Sequence, residues 1–426
     1  MYHGMSKIGS NAFRIDIVPL KKAVLLIFIS MCSLLPVYIF PAGGFNAADG
    51  PMLLIMGYIV LTHRKSEILM QTDTLITLIT FLFWAVWVNM ITFLVSSPIL
   101  CVIASVQMGY IVLLFITLII FFFRALSDRS AIKYIYWGIL LSAIIPLVMS
   151  GLSSGFKARQ GLSFPNPNQL AYFAQIIIAA VLILNHFSKP YFPDLKNDKL
   201  IRATTIVILS LGHYYMLLSA SRAGLAGVAC LDLLALWKKK KLFLVAFISF
   251  TIIAFAMSYV STDKIAGMKI YKRMMAGAYY TGLTERTEDR FNFEDLSLIF
   301  GGGKGNRSLD EKKVREFKEV HNTFGDVVYS YGMIGGVIFS LFIFFYLRTC
   351  MQLKFNVFVL LSFLPLHLTH NMIRFRLMWI LYALVYSTCL LSRYSVNRNA
   401  DSSKMVPNEN PAIIQFNNVA PGSQKA

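Results

Sequence analysis

The chain has 426 residues, 57% of them hydrophobic and only 14% charged, with a mean hydropathy of +0.62. Such usage lies on the membrane side of ordinary globular composition and leaves no room for a separate soluble catalytic domain. The net charge of +19 invites a nucleic-acid partner, but the Lys and Arg residues sit in short clusters between apolar runs. Membrane topology imposes that pattern, and no nucleic acid is expected as a partner.

Residues 1–22 are mostly polar and end in Lys21-Lys22, which reads as a cytoplasmic N-terminus leading into a signal-anchor helix. The apolar runs that follow predict about twelve transmembrane helices, at 23–40, 47–62, 73–95, 99–123, 134–150, 168–187, 200–219, 221–237, 242–260, 323–347, 355–371 and 377–392. The second is the weakest, because its apolar core from Met52 to Leu61 is short. Residues 261–322 form the one extended hydrophilic segment. Residues 393–426, rich in Asn, Ser, Pro and Lys toward the end, read as a disordered cytoplasmic tail. The fold class is therefore all-α, polytopic and integral to a membrane, with one long loop.

Charge orients these spans. Lys21-Lys22, Arg64-Lys65, Arg124 to Lys133, Lys189 to Arg202, Lys238 to Lys241, Arg348 with Lys354, and Arg393 mark every second connection. Both termini are thereby assigned to the cytoplasm and the long loop to the opposite, periplasmic face. The basic residues on that outer side are concentrated: Lys157 and Arg159, then Arg222, then the loop, then Arg374 and Arg376. Short outer connections normally avoid such charges, so these carry information. The five cysteines lie in or beside apolar runs, and none falls in the loop. That placement gives no reason to expect a disulfide or a thiolate metal site.

Four outer-side features could carry chemistry. Arg159 precedes Phe164-Pro165-Asn166-Pro167-Asn168, a rigid turn in which Asn168 is placed to cap the sixth span. Ser221-Arg222-Ala223-Gly224 is a tight turn with an arginine near a helix start. A planar guanidinium can bind diphosphate oxygens in bidentate fashion. In the loop, Lys264 to Arg273 reads as a basic stretch on the membrane surface, followed by Arg286 and Arg290. Gly301-Gly302-Gly303-Lys304-Gly305 reads as flexible backbone, without the Gly-Lys-Ser/Thr order of a nucleotide loop. Last comes His321, at the boundary between loop and span, with Asn322 or Thr323 able to cap the helix that follows. Its side chain is the one that exchanges protons near neutrality. Gly325, Gly332, Gly335 and Gly336 behind it read as a close helix-packing face.

Together, Arg159 with Pro165-Asn166-Pro167-Asn168, the Ser221-Arg222-Ala223-Gly224 turn, the loop ending in His321-Asn322, and Tyr331-Gly332-Met333-Ile334-Gly335-Gly336 resemble the O-antigen ligase and polymerase superfamily. The likeness runs over roughly residues 150–392. It implies a GT-C-like, metal-independent, inverting glycosyltransferase of the bacterial inner membrane, without a cofactor. The implied donor is an undecaprenyl-diphosphate-linked glycan, and the acceptor a glycan or lipid A-core. The resemblance matches Arg222 to the family's diphosphate arginine and His321 to its loop-end histidine. Either Arg286 or Arg290 could match the family's loop arginine. In that chemistry fixed cations hold the diphosphate leaving group, Arg159 being a further anion contact, while His321 takes the acceptor proton, with Glu319 a possible stand-in. A lipid-glycan flippase or transporter is the alternative, and would show charged residues along a central path.

Overall fold

The computed structural model describes residues 18–37, 46–63, 70–97, 99–150, 161–164, 166–219, 221–235, 297–304, 322–373 and 375–405. Among them the chain is all-helical. The order is α1 (Lys22–Leu34), α2 (Asp49–Thr62), α3 (Thr72–Ser96), α4 (Ile99–Leu126), α5 (Arg129–Ser150), α6 (Pro167–Tyr191), α7 (Pro193–Asn197) and α8 (Lys199–Ser219). There follow α9 (residues 222–235), the one-turn α10 (Ser297–Phe300), α11 (Thr323–Cys350), α12 (Lys354–Leu361), α13 (Leu364–Thr369) and α14 (Arg376–Met405).

Among the described residues six helices, α3, α4, α5, α6, α8 and α11, are long and apolar enough to cross a bilayer. The protein is therefore a membrane protein by architecture. Several expected spans take other forms. The first two are short helices of 13 and 14 residues. The eleventh divides into α12 and α13. Pro365 lacks an N–H and its ring opposes the carbonyl four residues back, at Leu361, where α12 ends. The twelfth runs on to Met405, so the start of the expected disordered tail is helical. The span expected at 242–260 lies outside the described residues.

The centre of the bundle is α6. A helix that is apolar on all sides is stable only when surrounded, and nearly every residue from Leu170 to Leu184 is buried. On one side α8 lies against it at Gly212, where a Cβ would come within 2.6 Å of Ile178. On another, the first half of α14 packs between α6, α4 and α11. The outer faces of α2, α3, α4 and α11 expose Leu54, Phe83, Leu94, Val106, Val337 and Phe344. Exposed apolar side chains in such number suit lipid, not water.

Contacts between helix ends divide the bundle into two poles. At one, buried Arg124 near the end of α4 donates to Thr62 Oγ1 at 2.8 Å and to its carbonyl at 3.0 Å, capping α2. Gln71, just before α3, meets Tyr386 and Thr349 there. Arg129–Asp194 and Lys133–Asp198, at 3.4 and 2.9 Å, tie the start of α5 to α7 and α8. This is the pole that the charge pattern marks as basic. The starts of α2, α6, α9, α11 and α14 gather at the other, the loop pole.

Candidate functional site

The start of α11 is built from its cap. Asn322 is extended, and its side chain accepts from the N–H groups of Phe324 at 2.9 Å and Gly325 at 3.3 Å. These are orphan donors that a helix start must satisfy. Asp326 then completes an acidic first turn, which the helix dipole favours.

Further along, α11 is broken. Gly332 has φ 71° and ψ 179°, backbone open to glycine alone, and a Cβ there would strike the Ile299 carbonyl. The break leaves carbonyls to be satisfied from outside the helix. Gly302 N–H donates to Tyr329 O at 3.4 Å, Gly303 N–H to Ser330 O at 3.0 Å, and the Trp84 indole to Tyr331 O at 2.8 Å. The Gly301-Gly302-Gly303-Lys304 stretch, expected to be flexible, is thus seated in the bundle, with Gly303 at φ 75° pressed on Thr92. Lys304 N–H reaches Asn89 Oδ1 at 2.8 Å, and its buried ammonium meets Asp326 Oδ2 at 2.5 Å. Of the glycines expected to pack helices together, Gly335 does so, against Trp84 of α3. Gly332 is the site of the break, and Gly336 faces its own helix at Val328.

The other two helix starts lie beside this one. The cap of α6 is Asn166, whose side chain accepts from Gln169 N–H at 3.0 Å, and not Asn168. Pro167, with φ preset and no N–H to satisfy, takes the first helical position and moves the cap one residue ahead of itself. Ser221 caps α9, its Oγ accepting from Gly224 N–H at 3.4 Å, and Arg222 stands exposed as the first helical residue. Gly224 lies against Ala171 of α6, where a Cβ would come within 3.0 Å. Next to Ala171, the Tyr172 ring packs on His370 and Phe375, at 5.2 and 5.5 Å between centroids. The His370 carbonyl in turn accepts from Thr323 Oγ1 at 2.9 Å. An unbroken line of contacts therefore joins the starts of α9, α6, α14 and α11.

Of the expected site residues, Arg222 falls on this line. Arg159, Arg286, Arg290 and His321 lie outside the described residues, as do Glu319 and Arg374; Asn322, the neighbour of His321, is the α11 cap. No known protein family and no curated protein matches the chain.

Packing brings together several polar groups whose pairing sequence reasoning missed. Arg376, at the start of α14, pairs with Asp49 Oδ2 at 3.0 Å and lies over the Tyr110 ring. The Tyr110 hydroxyl donates to Asp49 Oδ1 at 3.0 Å. Asp232, the one acidic residue in the apolar run 221–237, meets His213 of α8 at 3.0 Å.

Proposed function

We propose that the chain is an inverting, metal-independent glycosyltransferase of the O-antigen ligase or polymerase type, with about twelve spans in a GT-C-like arrangement. In this reading it resides in the bacterial inner membrane with both termini cytoplasmic and the loop pole periplasmic. The donor is an undecaprenyl-diphosphate-linked glycan, and the acceptor a glycan or lipid A-core.

One observation carries the reading. The starts of α6, α9 and α11 converge at one pole, with Arg222 exposed there. Helix starts present the positive end of the dipole, and with an arginine they suit a diphosphate. As the lipid diphosphate leaves, its growing charge is met by fixed donors and cations; Arg222, Arg159 and one of Arg286 or Arg290 take that role. His321, one residue before the α11 cap, accepts the proton of the attacking sugar hydroxyl. The bond from anomeric carbon to diphosphate oxygen breaks as the bond to the acceptor oxygen forms, and the diphosphate departs on the lipid.

The test is the surface glycolipid of a deletion strain complemented with wild type or with His321→Ala at equal membrane abundance. The variant is expected to lose transfer altogether, since loss of a general base costs about 10²–10⁴-fold. Normal glycan from His321→Ala refutes the assignment. In the deletion strain, one retained repeat without laddering identifies a polymerase, and lipid-linked polymer with bare core a ligase.

The flippase reading draws on the His213–Asp232 pair inside the bundle, which the transferase scheme does not use. Replacing both with apolar residues decides between the two. A flippase loses lipid-glycan export, while a transferase keeps its product.

A further inference from the structure

Beside the start of α11 lies a cavity of about 110 Å³ with largely apolar walls, including Phe324, Ile343, Leu361 and Trp379. Three polar side chains enter that wall together: Thr323, the first residue of α11; His367 of α13; and Tyr382 of α14. Their contacts form a directed chain. Thr323 is almost wholly buried, and its hydroxyl has one proton, which goes to the His370 carbonyl at 2.9 Å. The same oxygen accepts from Met372 N–H at 3.0 Å and lies 3.2 Å from His367 Nδ1. With its proton spent on His370, Thr323 can only accept from His367, so Nδ1 carries the hydrogen of the neutral ring. Nε2 is then the acceptor, and it takes the Tyr382 hydroxyl at 2.8 Å. This tautomer satisfies every contact, and the opposite one leaves Thr323 and His370 with two acceptors facing each other.

We propose that His367 is a positioning residue for the transfer reaction: through Thr323 it holds the first turn of α11 in register with α13 and α14. The proposal rests on the glycosyltransferase reading above. The chain enters α11 through His321-Asn322-Thr323, and two peptide units span at most about 7 Å. An anchor at Thr323 therefore limits where the entering residues can reach. Hydrophobic packing alone is non-directional and does not fix the rotation of a helix start as a buried, fully satisfied hydrogen-bond network does. Thr323, its proton committed to one backbone group of the turn that follows α13 and its oxygen to another, sets the tautomer of His367, and the Tyr382 hydroxyl donates to the nitrogen left as acceptor.

The test uses full-length protein in isolated membranes, with a lipid extract of the native host as the source of lipid-linked glycan, and reads initial rates against donor concentration. His367→Leu and Thr323→Val are expected to lower kcat about ten- to a hundredfold, the scale set by small misplacements of reacting groups, with donor KM unchanged. His367→Asn, whose amide can replace Nδ1–H, and Thr323→Ser, which keeps the hydroxyl, should restore most of the rate. Tyr346→Phe is the control for general damage. It deletes an equivalent hydrogen bond in the same wall, to Tyr382 O at 2.9 Å, that lies off the chain, and its kcat should equal wild type. Full kcat in His367→Leu at wild-type abundance, or an equal loss in Tyr346→Phe, overturns the proposal. Failure of the wild type itself to transfer glycan removes the enzymatic reading, and the proposal with it. Activity in wild type, absent in His321→Ala and intact in His367→Leu, removes the proposal alone.

Discussion

Lys304→Met tests how the stretch from Gly301 to Lys304 is held. The ammonium of Lys304 meets Asp326 Oδ2 at 2.5 Å, with the two side chains 6% and 2% exposed. Removing one member of a buried pair leaves its partner desolvated without its counter-charge and costs about 3–5 kcal/mol, whereas replacing both by apolar groups is often close to neutral. Lys304→Met and Asp326→Leu are each expected to lose that amount, and the double variant less than either. An unfolding entropy of about 2.1 cal/mol/K per residue over 426 residues is roughly 0.9 kcal/mol/K, so each single change should lower Tm by about 3–6 °C. The assay is thermal denaturation of the purified protein in one detergent, arranged as a double-mutant cycle. The stretch is also seated by the N–H groups of Gly302 and Gly303 on α11 and of Lys304 on Asn89 of α3, each worth about 1 kcal/mol net. These are common to all four proteins and cancel. A double variant as unstable as the sum of the singles refutes the reasoning, because the two charges would then not be compensating each other.

Three further outcomes are expected. Arg222→Lys should lose most transfer activity despite keeping the charge, since an ammonium cannot rebuild a bidentate diphosphate contact; near-normal product at equal abundance would assign Arg222 to headgroup contact instead. Reporters fused within 270–315 should be periplasmic and those after Lys241 or Arg393 cytoplasmic, and a cytoplasmic loop would end the proposed mechanism, whose donor is used on the outer face. At the basic pole, the hydrogen bond from Lys133 holds the Asp198 carboxyl below its usual range, with the N–H groups of Ile201 and Leu200 helping. A depressed folded pKa contributes stability above the unfolded value and loses it as pH falls. The small advantage of wild type over Asp198→Asn should therefore be full above about pH 4 and fade below it, read as Tm against pH.

The sequence by itself determined the features that depend on local composition. Apolar run length identified α3, α4, α5, α6, α8 and α11 as long helices, since a bilayer and a helical rise set the length a span needs. The side-chain chemistry of Asn322 and Thr323 placed the α11 cap at one of the two, and Arg222 was legible as a helix-start arginine because charge in a short turn between apolar runs is conspicuous. Local reasoning lost precision where neighbouring residues compete. Asn166 displaces Asn168 as the α6 cap because Pro167 claims the first turn.

Only the tertiary structure decided the rest. The glycines at 301–303 look the same in sequence whether free or seated. Their conformation depends on the carbonyls exposed where α11 breaks at Gly332, and that break is tolerated because the glycines satisfy it. Asp49 with Arg376, His213 with Asp232, and Lys304 with Asp326 are each a single charge in an apolar or loop context until packing supplies the partner. The chain from Tyr382 through His367 to Thr323 is likewise unreadable from the residues alone. Hydrogen bonds act over about 3 Å, and only the docking of α11 on α13 and α14 brings residues 44 positions apart to that distance.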